Sequence, residues 1–213
     1  MNISTLAKLA AVFALTGALA GCMDVSTELD IQSETSGKAT TSVTIGAEFY
    51  PMIKQMAEAA KASGSTDTAT AGSDPTSDFC QEEGDELVEN ADGSGTCTSV
   101  KEGEFAELTE GGNGPNEDAA FTVVSPGVVK VSFKTDQMTS QVTEGQDAQQ
   151  MEMMKAYFTG HNATIRIKGK KVTDTNMTLS SDGTSAEIVI PFSSLFDGSA
   201  QLPPELYAVV DTN

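Results

Sequence analysis

Residues 24–46, DVSTELDIQSETSGKATTSVTIG, carry the clearest folding signal in this chain. Apolar residues and threonine take every second position of residues 24–33, a period of two that is typical of a half-buried β-strand. Residues 38–46 alternate again and are rich in Thr and Val, which favour strands. The polar segment SETSG between them predicts a turn, so the whole stretch predicts a β-hairpin.

Two other segments have the period of a helix. The apolar side chains of residues 49–60 recur at spacings of three and four, which predicts a helix with one apolar face. Pro51 is compatible only with a first turn, so this helix should begin near Phe49 and end before Gly64. The same pattern predicts a second helix over residues 145–158.

Alternating segments dominate the rest of the chain. Two strands are predicted around Ser125–Gly127, one over residues 162–169, and two more around Ser181–Gly183; the tail, residues 197–213, is assigned no element. Strands outnumber helices and occur in hairpins. The sequence therefore predicts an α+β fold: an antiparallel sheet, flat or curled, with two helices packed on one face.

Residues 63–116 interrupt this pattern and are predicted to form a flexible acidic insert. Residues 63–79 hold almost no large apolar side chain, and the segment after Cys80 is strongly acidic. Cys80 and Cys97 do not follow a zinc-binding spacing. A disulfide between them would close a loop of about 18 residues and contribute ~3 kcal/mol in the chain-entropy model.

The N-terminus resembles a lipoprotein signal peptide. Lys8 is the only charge before Cys22, and residues 9–20 form an apolar run too short to span a bilayer. Leu19-Ala20-Gly21-Cys22 matches the lipobox of bacterial lipoproteins, in which the thiol takes a diacylglyceryl group, cleavage precedes the cysteine, and the new amine is acylated. The alternative is an ordinary secretory signal that contains a cysteine. Residues 1–21 are thus a predicted signal peptide, and residues 22–213 a single domain.

The net charge of the chain restricts the classes of molecule that it can bind. The chain has 12 basic and 31 acidic residues, a net charge of −19, which becomes −20 when Lys8 is removed with the signal. This balance argues against nucleic acid and against lying flat on anionic lipid. It fits a body tethered to the membrane by its N-terminal lipid. Met23, rather than Asp, follows Cys22, which favours the periplasmic face of the outer membrane in a Gram-negative bacterium.

The residues for catalysis are scarce. The chain has one His, His161, and one Arg, and it contains no nucleophile elbow, P-loop, zinc-protease or dinucleotide-binding motif. Carboxylates crowd residues 85–93, but the EF-hand pattern is not met, so a solvated charge run is preferred to a calcium site. We predict no enzyme activity, no cofactor and no metal site.

Two groups of residues are candidate ligand contacts. A basic group on or beside one strand would bind an anionic lipid headgroup or a lipopolysaccharide phosphate. The alternative interpretation is that these basic residues lie on a solvated outer face of the sheet, paired with nearby acidic residues. A methionine group on the two predicted helices would line an apolar groove for an acyl chain; its alternative is core packing. The basic group is Arg166, Lys168 and Lys170, and the methionine group is Met52, Met56, Met151 and Met154.

Two segments together suggest a family. CMDVSTELDIQSETSGKATTSVTIG and, downstream, IRIKGKKVTDTNMTLSSDGTSAEIVIPF resemble the LppM-type bacterial lipoprotein domain. The resemblance implies an α+β domain; mycobacterial relatives are linked to cell-envelope lipids or lipoglycans. This chain departs from the family in its acidic disulfide insert, in IKG where Pro-Gly is expected, and in lacking the C-terminal membrane helix of many relatives. No catalytic residues come with the resemblance.

These observations predict a lipid-anchored, non-enzymatic cell-envelope lipoprotein. Its predicted role is to bind an envelope lipid, a glycolipid or another hydrophobic ligand. The alternative is a structural or assembly lipoprotein that binds another envelope protein through its acidic surface.

Overall fold

The computed structural model describes residues 23–55, 80, 84–109, 119–135 and 158–213. Within these residues the chain forms eleven strands and three short helices. The helices are α1 (residues 50–55), α2 (Phe105–Thr109) and α3 (Phe192–Phe196). The strands are β1 (Met23–Ile31), β2 (Ser36–Ile45), β3 (Glu86–Glu89), β4 (Gly95–Glu104), β5 (Ala119–Ser125), β6 (Val128–Lys134), β7 (Asn162–Gly169), β8 (Lys171–Thr175), β9 (Thr178–Leu179), β10 (Ser185–Pro191) and β11 (Glu205–Asp211).

The strands form two sheets. Sheet A has the order β3-β4-β2-β1-β7-β10-β9, and sheet B has the order β5-β6-β11-β8. The predicted α+β class is confirmed, with two differences: there are two sheets instead of one, and β1 and β7 are parallel. The β1–β7 pairing joins segments more than 100 residues apart, so no local turn fixes its direction.

The hairpin predicted from residues 24–46 is confirmed. β1 and β2 pair from Met23↔Ile45 to Ile31↔Gly37. The alternating apolar residues become the buried face, where Leu29 and Ile31 are almost fully excluded from solvent. The turn is closed by the Ser33 hydroxyl, which accepts a hydrogen bond from the Ser36 N–H at 3.0 Å.

The core fills the space between the two sheets. Its side chains alternate along the strands, as the period-two pattern requires, and α2 and α3 each add one leucine. Its buried members are Leu29, Ile31, Ala39, Leu108, Val129, Val131, Phe133, Ile165, Ile167, Val172, Ala186, Ile190, Leu195, Leu206, Ala208 and Val210. The sequence assigned no element to the tail, yet β11 lies in sheet B between β6 and β8.

Much of the segment predicted as an insert lies in sheet A. β4 pairs with β2 over ten positions, from Ser36↔Glu104 to Ile45↔Gly95, and β3 pairs with β4. The Cys80–Cys97 disulfide is present. Residues 63–79, 81–83 and 110–116 of this segment are outside the described residues, as are all but the last residue of the helix predicted over 145–158. No helix in the described part of the chain is long and apolar enough to cross a membrane.

Candidate functional site

One end of sheet A is the starting point for a functional site, because β1 begins there directly after Cys22. Met23 pairs with Ile45, Ile45 pairs with Gly95, and Gly95 pairs with Glu89. On the other side of β1, β7 and β10 reach the same end. We call this the Met23 end of sheet A.

Helix α1 is built onto the Met23 end. The Gly46 carbonyl accepts hydrogen bonds from the Phe49 and Tyr50 N–H groups, both at 3.0 Å, and so starts the helix directly after β2. The described helix includes Pro51 in its first turn, as predicted. Tyr50 and Ile53 then pack on Ile45 in a small cluster separate from the main core.

The position of Tyr50 depends on a glycine in β4. A Cβ atom at Gly95 would overlap three carbon atoms of the Tyr50 ring. The ring can therefore lie flat on the β4 backbone only because residue 95 has no side chain. This contact fixes α1 against the β3–β4 hairpin.

An open groove of about 680 Å³ lies between α1 and the β3–β4 turn. Its helix wall is partly apolar: Pro51 is exposed and Met52 is 44% exposed. Its hairpin wall is polar. The lining residues are Tyr50, Pro51, Met52, Lys54, Gln55, Glu89, Asn90 and Gly93.

An ion pair crosses the groove. The Lys54 ammonium donates to the Glu89 carboxylate at 2.6 Å, and the Tyr50 hydroxyl donates to the same carboxylate at 3.4 Å. The hydrogen bond from Lys54 lowers the pKa of Glu89. Burial, and then the Glu89 charge, raise the pKa of Tyr50. At neutral pH the groove thus contains an ammonium, a carboxylate and a neutral phenol beside apolar side chains.

The predicted basic group is engaged with carboxylates. Arg166 Nε donates to Glu187 at 2.8 Å, and Lys168 Nζ lies 3.1 Å from Glu28. The hydrogen bond to Glu187 raises the pKa of Arg166, and the hydrogen bond to Glu28 raises the pKa of Lys168. An anionic ligand would have to displace these carboxylates, so the geometry favours the alternative of a solvated, internally paired sheet face.

Lys170 is separated from the other two basic residues. The sequence placed it on the same strand face as Arg166 and Lys168, but β7 ends at Gly169 and Lys170 lies in the bend before β8. Lys170 and Lys171 both help to lower the pKa of Asp211, although hydrogen bonds from Asn213 are the larger cause. The three predicted basic residues therefore do not all lie on one strand.

Of the predicted methionine contacts, the structure describes Met52, which lines the groove. Met56, Met151 and Met154 lie outside the described residues, and so does the predicted lipidation site Cys22. The space between the two sheets is filled by the core side chains. The groove beside α1 is therefore the place where a described methionine lines an open cavity.

The acidic residues are used in local structure. Asp92 Oδ1 accepts hydrogen bonds from the Ser94 N–H at 3.0 Å and hydroxyl at 2.7 Å, which lower its pKa. Among the described residues, one group of three potential metal ligands lies close together, Cys80, Asp85 and Cys97. Its two sulfur atoms are bonded to each other as a disulfide, which leaves one carboxylate.

His161 joins the strand ends at the Met23 end. Its side-chain Nδ1 lies 3.1 Å from the Asp24 carboxylate. Its backbone N–H donates to the Phe158 carbonyl, and its backbone carbonyl accepts from the Phe192 N–H, both at 3.1 Å. These contacts give His161 a structural position between β1, α3 and the start of β7. The sequence pattern did not reveal Asp24 as its partner, because 137 residues separate the two.

No protein-family model matches the chain. No curated protein sequence matches it either. The NMR structure of the folded domain of the LppM protein of Mycobacterium tuberculosis matches with 12% identity, 89% coverage of each chain and a TM-score of 0.43.

Proposed function

We propose that this chain is a non-enzymatic lipoprotein of the bacterial envelope, anchored through acylated Cys22, that binds an amphiphile in the groove between α1 and the β3–β4 turn. One observation carries the proposal: the groove lies at the Met23 end of sheet A, the end at which β1 begins directly after the predicted anchor. Consecutive Cα atoms are about 3.8 Å apart, so the anchor places this end of the domain close to membrane lipid.

The chemistry of the groove suits a molecule with an apolar and a polar part. Met52 and Pro51 provide adaptable apolar surface for an alkyl chain. The Lys54–Glu89 pair and the Tyr50 hydroxyl provide a charged, hydrogen-bonding wall for a headgroup. A few polar groups among apolar ones is the usual composition of a small-molecule site. An envelope lipid or glycolipid fits this combination.

The rest of the proposal concerns location. Two or three acyl chains on Cys22 give stable attachment, whereas a single chain binds only marginally. The net charge, −19 for the full chain and −20 once Lys8 is removed with the signal, keeps the body in water. The residue after the cysteine is Met23, so we place the protein on the periplasmic face of the outer membrane.

Anchoring is tested by comparing the wild-type chain with Cys22→Ser. We expect the wild-type protein to sediment with membranes and its mature N-terminus to carry the mass of the acyl groups. We expect the Cys22→Ser protein to be released as a soluble form. An unacylated wild-type N-terminus would overturn the anchor.

Ligand binding is tested by native mass spectrometry of the purified full-length protein. Met52→Glu places a charge where the alkyl chain would lie, and Met52→Leu retains the apolar surface. Val124→Glu is the matched control, because Val124 is also exposed, at 53%, and lies on β5 of the other sheet. We expect co-purified lipid in the wild type, Met52→Leu and Val124→Glu, and a loss of about tenfold or more in Met52→Glu.

Two outcomes would contradict the ligand proposal. One is wild-type protein without lipid. The other is equal lipid content in Met52→Glu and Val124→Glu. A lipid-free protein that instead binds an envelope protein in a salt-sensitive manner would favour the alternative role, in which the acidic surface contacts a protein partner.

A further inference from the structure

The distance between the predicted anchor and the fold is unusually short. β1 begins at Met23, so no linker separates the folded strand from Cys22. We infer that the Met23 end of sheet A rests on a zwitterionic phospholipid surface, with its strands directed away from the membrane and the opposite end displayed to the periplasm. This inference rests on the acylation of Cys22 proposed above.

The position of β1 within sheet A restricts how the domain can tilt. β1 is the fourth of seven strands, so the anchor is attached near the middle of the sheet. At the Met23 end, three strands (β2, β4, β3) lie on one side and two (β7, β10) on the other. At ~4.8 Å per strand these extend about 14 Å and about 10 Å from the anchor. Tilting of the domain toward either side would push the strands on that side into the membrane.

The length of β1 sets the distance of the opposite end. β1 spans nine residues from Met23 to Ile31, so eight steps of ~3.3 Å place Ile31 about 26 Å from the Met23 end. The 180–184 turn before β10 lies at that opposite end, because Ser185 pairs with Lys168 and Asp30 with Lys168. Ser181 in this turn is exposed. It therefore marks the distal side of the domain.

The surface at the Met23 end has a composition that selects the type of membrane. Its described exposed residues include Ala47, Pro51 and Met52, which provide a small apolar area. Among the residues that the structure describes, we assign four carboxylates and one ammonium to this end, beside His161, so its described charge is acidic in balance. These are Asp24, Glu48, Glu89, Asp92 and Lys54.

Because of this acidic charge balance, we assign a zwitterionic rather than an anionic membrane surface to the Met23 end. Anionic headgroups would repel the carboxylates over a Debye length, about 10 Å at 0.1 M salt. Zwitterionic headgroups carry no net charge and allow close approach of Pro51 and Met52. In this orientation the groove beside α1 is held at the level of the headgroups, where its ligand would be taken up.

The test uses the acylated full-length protein in vesicles. Acylation of Cys22 and the Cys80–Cys97 disulfide leave no free thiol, so Ala47→Cys and Ser181→Cys each provide one labelling site, at the Met23 end and at the distal end. Each variant carries a fluorophore and is reconstituted into phosphatidylcholine vesicles that contain a headgroup-attached nitroxide quencher. We expect strong quenching at residue 47 and little at residue 181.

A second arm tests the charge argument. Replacing a third of the phosphatidylcholine by phosphatidylglycerol at low salt should reduce quenching at residue 47, and added salt should restore it. Equal quenching of the two labels, or stronger quenching at residue 181, would overturn the orientation. Undiminished quenching at residue 47 in phosphatidylglycerol would overturn the choice of a zwitterionic surface. Failure of the protein to float with vesicles would instead overturn the proposed anchor, so the two failures are distinguishable.

Discussion

The Asp24 carboxylate accepts a hydrogen bond from the backbone N–H of Asn162 at 2.8 Å. This contact joins the first strand after the predicted anchor to the start of β7, its parallel neighbour. The second oxygen of Asp24 faces His161 Nδ1 at 3.1 Å. The Asp24 side chain therefore connects the parallel strands β1 and β7 at the Met23 end of sheet A.

Asp24→Ala should weaken this end of the sheet. Loss of the carboxylate leaves the Asn162 N–H without its acceptor, which costs about 1–2 kcal/mol of unfolding free energy. Asp24→Asn retains an acceptor oxygen and should lose less. Urea denaturation measures the difference, with Ser26→Ala, an exposed position on the same face of β1, as the control. Equal stability of Asp24→Ala and Ser26→Ala would show that the contact contributes nothing.

Gly95→Ala should disturb the groove. The new methyl group overlaps the Tyr50 ring, so the ring and α1 must move, at a cost of about 1–3 kcal/mol. Thermal unfolding should show a melting temperature lower by several degrees. Pairing the substitution with Tyr50→Ala removes the overlap, so Gly95→Ala should cost less in that background. An unchanged cost would argue against the Tyr50–Gly95 contact.

Asp182 should titrate with an unusually low pKa. Hydrogen bonds from the Ser180 hydroxyl, and from the Thr184 N–H and hydroxyl, lower the pKa of Asp182 to about 2. Because the folded pKa lies below the unfolded value of 3.8, the stabilisation is complete above pH 3.8 and is lost as the pH falls toward 2. Carboxyl-detected NMR measures this titration. In Ser180→Ala the pKa should rise toward 3.8, and an unchanged value would refute the assigned cause.

Reduction of the disulfide should destabilise the domain. The bridge joins Cys80 to Cys97 in β4, across 17 positions of sequence. Opening a loop of that size costs about 3 kcal/mol in the chain-entropy model. Denaturation with and without reductant measures the change. The variant carrying both Cys80→Ser and Cys97→Ser should show the same lower stability under both conditions; sensitivity of that variant to reductant would point to another cause.

Arg166 should contribute little to stability and nothing to lipid content. Its guanidinium is 46% exposed and is shared between Glu187 and Glu28. Exposed ion pairs of this kind contribute about 0.2–1 kcal/mol and are weakened by salt. A double-mutant cycle of Arg166→Ala with Glu187→Ala measures the coupling. Loss of co-purified lipid in Arg166→Ala would instead support the hypothesis that the basic group binds a lipid headgroup.

Local periodicity was sufficient for most of the strands. Residues 24–46 and residues 162–169 alternate regularly, and the structure forms β1, β2 and β7 there. The same alternation occurs at Leu206, Ala208 and Val210, which are fully buried in β11. That strand was not predicted because its apolar run is short and follows paired prolines, which are typical of an irregular tail.

The candidate site was only partly accessible from sequence. Met52 was singled out as one of several methionines on the two predicted helices, because thioether side chains suit permissive apolar sites, and it does line the groove. Glu89, which lines the groove, and Gly95, which leaves room for the Tyr50 ring on β4, lie in a segment that was predicted to be a flexible acidic insert. Their role depends on β4 pairing with β2, a contact between residues about 50 positions apart. No local pattern encodes such a distance.

The faces of the strands follow from residue spacing, because each depends on neighbours within about a dozen positions. The net acidic charge, the three cysteines and the predicted lipobox at Cys22 follow from residue types alone. The folded chain was needed to show the parallel pairing of β1 with β7, the entry of β8 into the second sheet, the carboxylate partners of Arg166 and Lys168, and the placement of the groove at the Met23 end of sheet A. Periodicity specifies which side of a strand is apolar. Which strands become neighbours depends on how all the apolar faces bury one another at once.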